Sequence, residues 1–143
     1  MNIYDFRKHE IISSYYHSAA VKAMAWIGDK KLATGGGTAD KKIKLWSEGE
    51  GVFKEIDTGS QVCSLSWSPS TNEIVSCQGF SLNQIIIWDK HGDRQFTFHG
   101  HSSRVLYSAM SPNGEYLASG AGDQNLKIWK LFPTKATEQT LLN

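Results

Sequence analysis

The sequence predicts an all-β fold assembled from repeated four-stranded antiparallel units, and three observations carry that reading. Tyr4, Trp46, Trp88 and Trp129 are spaced by 42, 42 and 41 residues, and self-similarity at such a period marks a repeat architecture. Each of these aromatics has apolar residues one and three places upstream: Met1 and Ile3, Ile43 and Leu45, Ile85 and Ile87, Leu126 and Ile128. Period-two alternation of this kind marks a half-buried β-strand. A second register repeats in step, as "VKAMAW" (21–26), "VCSLSW" (62–67) and "VLYSAM" (105–110), each followed by a third run, "KLATG", "EIVSC" and "YLASG".

Taken in order, the expected strands are 21–26, 30–34, 42–46 and 52–57; then 61–67, 73–77, 84–88 and 94–98; then 104–110, 115–119 and 126–130. Gly-Asp, Ser-Pro, Ser-Pro-Asn-Gly, His-Gly-Asp and His-Gly-His separate them as turn signals. Ahead of these, "MNIYD" reads as the end of a third strand and 9–16 as the outer strand of a preceding unit. There is little helical patterning anywhere. Four-stranded units with Gly100-His101 before and Trp88-Asp89 after resemble WD40 propeller blades, with Trp46-Ser47 and Trp129-Lys130 departing from the dipeptide. The expected architecture is a partial WD40 β-propeller of about three blades plus strands of a preceding one. Its parts are 1–16 (end of a preceding blade), 17–57 and 58–98 (blades), 99–132 (a last blade incomplete without a closing strand) and 133–143 (a tail).

Composition narrows the function. Across 143 residues, 15 basic and 14 acidic side chains leave a net charge of +1, which gives no electrostatic case for nucleic acid or an anionic membrane. No apolar run reaches the length of a membrane span, and "MNIYDFRKHE" lacks the apolar segment of a signal peptide. Cys63 and Cys77 lie in apolar strand-like runs without metal-ligand spacing, so they read as small core residues in a reducing compartment, and no metal or cofactor is expected.

His101, Ser119, Asp123 and Trp129 contain the residue types of a hydrolase triad. The repeat argues for another role, because His17, Thr34, Asp40 and Trp46 occupy the equivalent four registers in the first unit. A catalytic site has no need to recur in each blade, whereas a network satisfying buried polar groups does. The middle unit offers Thr58, Ser76, Leu82 and Trp88, so its network is expected to be broken. The stretch "LATGGGTADKKIKLW" (32–46) lacks the spacing and the Gly-Lys-Ser/Thr ending of a phosphate loop and reads as a blade corner. The lysines at 30, 31, 41, 42 and 44 read as a solvated strand face.

The stretches "ATGGGTADKKIKLW", "DTGSQVCSLSWSP", "GFSLNQIIIW" and "GHSSRVLYSAMSPNG" together resemble the Fizzy/Fizzy-related family over roughly residues 17 to 132. "TGSQVC", "NEIVS", "RVLYSAMSP" and "GAGD" look closer to the Fizzy-related branch. Members of this family are substrate-recognising activators of the anaphase-promoting complex, a cell-cycle ubiquitin ligase. The resemblance implies a non-enzymatic propeller, this chain matching its last three blades, with partners among the ligase subunits and substrates bearing degradation signals. It implies work in nucleus and cytoplasm. Thr38, Gln61 and Arg104 match members of the family's site for the Lys-Glu-Asn (KEN) box. The repeat adds that Ala20, Gln61 and Arg104 share one register, immediately before the innermost strand. Possible destruction-box binding would fall on Asp123 and Gln124, but Gln124 stands where the family has an acidic residue. Neither the family's C-box nor its Ile-Arg tail has a counterpart here. A piece of a longer activator, or a short member closing with another propeller piece, is therefore expected. The alternative is a WD40 interaction scaffold without ligase docking.

Overall fold

The computed structural model describes residues 1–132, which hold thirteen strands and no helix. The expected tail, 133–143, lies outside the described residues. Strands β1 (Asn2–Asp5) and β2 (Glu10–Ser14) form a hairpin. The first four-stranded sheet holds β3 (Val21–Trp26), β4 (Lys31–Gly36), β5 (Lys42–Ser47) and β6 (Gly51–Asp57). The second holds β7 (Val62–Ser68), β8 (Glu73–Gln78), β9 (Ile85–Trp88) and β10 (Arg94–Phe98). A three-stranded sheet follows, of β11 (Val105–Met110), β12 (Tyr116–Ala121) and β13 (Leu126–Lys130). Every sheet is an antiparallel meander, and the inner strands β3, β7 and β11 lie side by side.

Alternation along the strands explains where the core sits. Successive side chains leave opposite faces of a strand. Ile74, Ile86 and Trp88 therefore join Ala33, Ile43, Ile56 and Val62 between the first two blades. Val75, Cys77, Ile85 and Ile87 point the other way and pack on Val105 and Leu117 of the three-stranded sheet. A middle strand covered on both sides needs a continuous apolar run, which is why "IIIW" replaces alternation in β9. Ile85, Ile86 and Ile87 are all at most 2% exposed, each contributing about 1.5–3 kcal/mol by burial. A smaller cluster of Tyr15, Leu32 and Trp46 joins the β1–β2 hairpin to the first sheet.

Two strands run two residues past their expected ends. β4 runs on through Gly35 and Gly36, which pair with Ala23 and Val21, so two glycines of the supposed corner belong to the sheet. They are glycines for want of space: a Cβ on Gly35 would lie 2.5 Å from Val62 Cγ1, and one on Gly36 would run into the Asp40 carboxylate. β12 likewise starts and ends later than 115–119, because Gly120 pairs with Leu126 and Ala121 with Val105. The lysine face is also more than solvated. Lys42 and Lys44 both reach Glu55 across the β5–β6 pair, at 2.7 and 3.1 Å.

Candidate functional site

Because consecutive strands reverse direction, the β4–β5, β6–β7, β8–β9, β10–β11 and β12–β13 connections share one end of the molecule. The residue before each inner strand is fixed there by the same main-chain bond. The Gly37 amide donates to the Ala20 carbonyl at 2.9 Å, Gly79 to Gln61 at 2.8 Å, and Gly122 to Arg104 at 3.2 Å. The three rim positions of the repeat therefore hold equivalent places with side chains of unlike chemistry.

Thr38, Gln61 and Arg104 lie along this rim. The Thr38 hydroxyl donates to Gln61 Oε1 at 3.1 Å, tying the first blade to the second. Arg104 is exposed and has no ion-pair partner among the described residues. Its charge is felt beside Gln61: burial pushes the Cys63 thiol up, while Arg104 and Lys22 pull against that rise. The Cys77 thiol, buried outright, is pushed up to about 12 and is no nucleophile at neutral pH. Two rim residues escaped the sequence reading. Lys22 adds a second cation, and Phe80 stands 70% exposed with its carbonyl accepting from the Ser60 hydroxyl at 3.1 Å. Phe80 follows Gly79 as Thr38 follows Gly37, so the repeat itself holds the signal that could have found it.

The two tetrads are built alike. His17 Nδ1 donates to Asp40 at 2.6 Å, while its Nε2 and the Trp46 indole N–H meet Thr34 Oγ1 at 2.6 and 2.7 Å. His101 Nδ1 donates to Asp123 at 3.0 Å, and its Nε2 and the Trp129 indole N–H both meet Ser119 Oγ at 2.8 Å. These are the distances of a hydrolytic triad, but the setting is not. Ser119 is 1% exposed and Thr34 fully buried, so no substrate carbonyl reaches either oxygen. The middle blade departs from expectation. Its network is rewired rather than broken, because Ser76 Oγ accepts from both the Trp88 indole and the Gln78 amide at 2.8 Å. Gln78 sits two residues beyond Ser76 on one strand and so shares its face. Thr58 bonds main-chain carbonyls instead, and Leu82 is 38% exposed.

Asp123 has no oxygen to spare for a peptide arginine. Besides His101, it accepts from the amides of Ser102 at 2.9 Å and Asn125 at 3.0 Å. Neighbouring Gln124 is exposed and uncharged.

The repeat family described as "WD domain, G-beta repeat" matches residues 9–47, 52–89 and 92–130. The chain belongs to the WD40 family. These WD40 matches each straddle two sheets, taking the outer strand of one blade with the inner three of the next, which ties neighbours together. Among curated relatives, WD repeat-containing protein srw1 of Schizosaccharomyces pombe is 48% identical over 135 residues, covering 92% of this chain and 24% of that protein. Protein FIZZY-RELATED 3 of Arabidopsis thaliana is 49% identical over 122 residues, covering 82% of this chain and 25% of that one. APC/C activator protein CDH1 of Saccharomyces cerevisiae is 45% identical over 129 residues, covering 87% and 23% respectively. The chain thus spans roughly a quarter of the length of these relatives. A chain of the solved "Crystal Structure of Mitotic Checkpoint Complex" matches with a TM-score of 0.86 and 43% identity, over 92% of this chain and 43% of that one. The resemblance to the Fizzy/Fizzy-related family therefore holds across nearly the whole WD40 repeat array.

The tetrads make this array acid-sensitive. Burial opposes ionisation of Asp40, but hydrogen bonds from Ser18 and His17 outweigh it and hold its pKa near about 2. Asp123 is held down to about 2 in the same way, by the Ser102 and Asn125 amides and His101. Both folded values lie below the ordinary 3.8, so the unfolded chain takes up protons first as pH falls. Their contribution to stability is fully present above about pH 4, is lost as pH falls between about 4 and 2, and is gone below. Urea midpoints at stepped pH check this, and Asp40→Asn should flatten the slope.

Proposed function

We propose that this chain is the substrate-recognising part of an anaphase-promoting-complex activator, holding KEN-type peptides on its rim without catalysis. The observation that carries the reading is that the Thr38–Gln61 pair and an exposed Arg104, without an ion-pair partner among the described residues, stand along one rim. Arg104 suits the motif's glutamate, as a charge-assisted partner in fork geometry. Gln61 and Thr38 donate to and accept from the motif's asparagine and the peptide backbone, and Phe80 offers an apolar ledge beside them. Destruction-box recognition finds no such support here, given Asp123's commitments and Gln124's neutrality. The adaptor mechanism needs only a weak peptide contact, since tethering substrate near a ligase raises its effective concentration. Partners are ligase subunits and KEN-bearing substrates, met in nucleus and cytoplasm.

Fluorescence anisotropy with a labelled Lys-Glu-Asn peptide tests the reading. Binding should weaken as salt rises and drop at least about tenfold when the peptide glutamate becomes alanine. Equal binding of both peptides would remove the proposal.

A further inference from the structure

The opposite end of the sheets carries the β3–β4, β5–β6, β7–β8 and β9–β10 turns. There, between the first and second blades, the interblade core opens into a groove of about 420 Å³. Both walls are four-stranded blades, so the groove belongs to a completed blade pair. Ile27, Leu45, Trp67 and Ile74 form its apolar lining, continuous with the core cluster beneath. Phe53 also lines it and stands 47% exposed, with Lys31 Nζ 5.3 Å above its ring.

Charge gives the groove a sign. Its two charged lining residues are Lys31 and Lys90, and neither has an ion-pair partner among the described residues. Asp89, next to Lys90, is occupied within its own turn by the amides of His91 and Asp93 at 2.8 and 2.9 Å and by Gln95 at 3.1 Å. Lys54 lies against Gly92 of the same turn and brings a third cation close. Asp29 and Glu48 line a separate cavity below Trp26. An apolar floor of ligand-site size under unpaired lysines accepts an apolar anchor flanked by carboxylates.

We propose that this groove binds an acidic peptide segment, which sets one aromatic or branched apolar side chain against Trp67 and Ile74 while its carboxylates meet Lys31 and Lys90. The site lies at the far end from the rim and is independent of it. An acetylated, fluorescein-labelled Glu-Asp-Glu-Phe-Asp-Glu peptide is the probe. It should bind the chain in a salt-sensitive manner and lose at least about tenfold in affinity when its phenylalanine becomes alanine or when the protein carries Lys31→Glu with Lys90→Glu. Both lysines are exposed, and an unchanged thermal melt of the double variant keeps the loss specific. An unlabelled Lys-Glu-Asn peptide should not compete, whether or not it binds the rim. Absence of binding, indifference to the lysine reversals, or displacement by the Lys-Glu-Asn peptide would each overturn the proposal. So would lysine-dependent capture by phosphatidylserine vesicles with none of the peptide, which would make the groove a membrane contact.

Discussion

Arg104→Ala should weaken a Lys-Glu-Asn peptide at least about tenfold while leaving the thermal melt of the chain where it was. The two halves of that expectation come from different atoms. The Arg104 carbonyl holds the rim through the Gly122 amide and is untouched by the substitution. The guanidinium is exposed and has no ion-pair partner among the described residues, so nothing in the described fold relies on it. A charge-assisted pair with the peptide glutamate contributes roughly 1.5–3 kcal/mol, which at 1.4 kcal/mol per decade is one to two orders of magnitude in affinity. Arg104→Lys keeps the charge but not the fork and should recover only part of the loss. Gln61→Ala removes one neutral partner and should cost less, about 0.5–1.5 kcal/mol. An unchanged affinity for Arg104→Ala would take Arg104 out of the site.

Asp40→Ala should be the most damaging single change to stability. The His17 and Asp40 side chains are 1% and 2% exposed, so deleting the carboxylate leaves a buried imidazole N–H, and the Ser18 donors, without an acceptor. Removing one member of a buried pair costs about 3–5 kcal/mol. A denaturant midpoint should fall accordingly, and peptide binding by the surviving folded fraction should persist, because Asp40 lies behind the rim. In the rewired middle blade, Gln78→Ala should cost less, since Gln78 Oε1 already lacks a partner and the loss is one neutral bond to Ser76 together with the packing of the buried side chain. A loss for Asp40→Ala no larger than that for Gln78→Ala would show that the His17–Asp40 hydrogen bond adds nothing to the indole–hydroxyl bond.

The period of the aromatics was enough to find the sheets, because alternation and turn chemistry agree at every repeat. The rim register was legible for the same reason: Ala20, Gln61 and Arg104 are equivalent by sequence before they are equivalent in space. What escaped depended on neighbours the repeat does not encode. The extension of β4 through Gly35 and Gly36 follows from the closeness of Val62 and Asp40, a fact of packing. Gln78 has no signal in the repeat, because the flanking blades bring their second donor from a histidine ahead of the inner strand, while the middle blade takes it from the strand that carries Ser76. Phe80 was passed over because its counterparts, Thr38 and Asp123, are polar and an aromatic there reads as filler. The groove beneath Trp67 joins residues from both blades and has no linear signature at all.

The amide–carbonyl bolts at Gly37, Gly79 and Gly122 separate placement from identity. Main-chain atoms set where each rim residue stands, so the side chain is left as a free variable, and alanine, glutamine and arginine fill the three sockets without moving one another. Such a rim is a keyboard with fixed keys and exchangeable letters. A lineage can rewrite the peptide it reads by substitution at one socket, and Ala20 is the blank key, where a new contact would add reach to the alphabet while the backbone beneath stays the same.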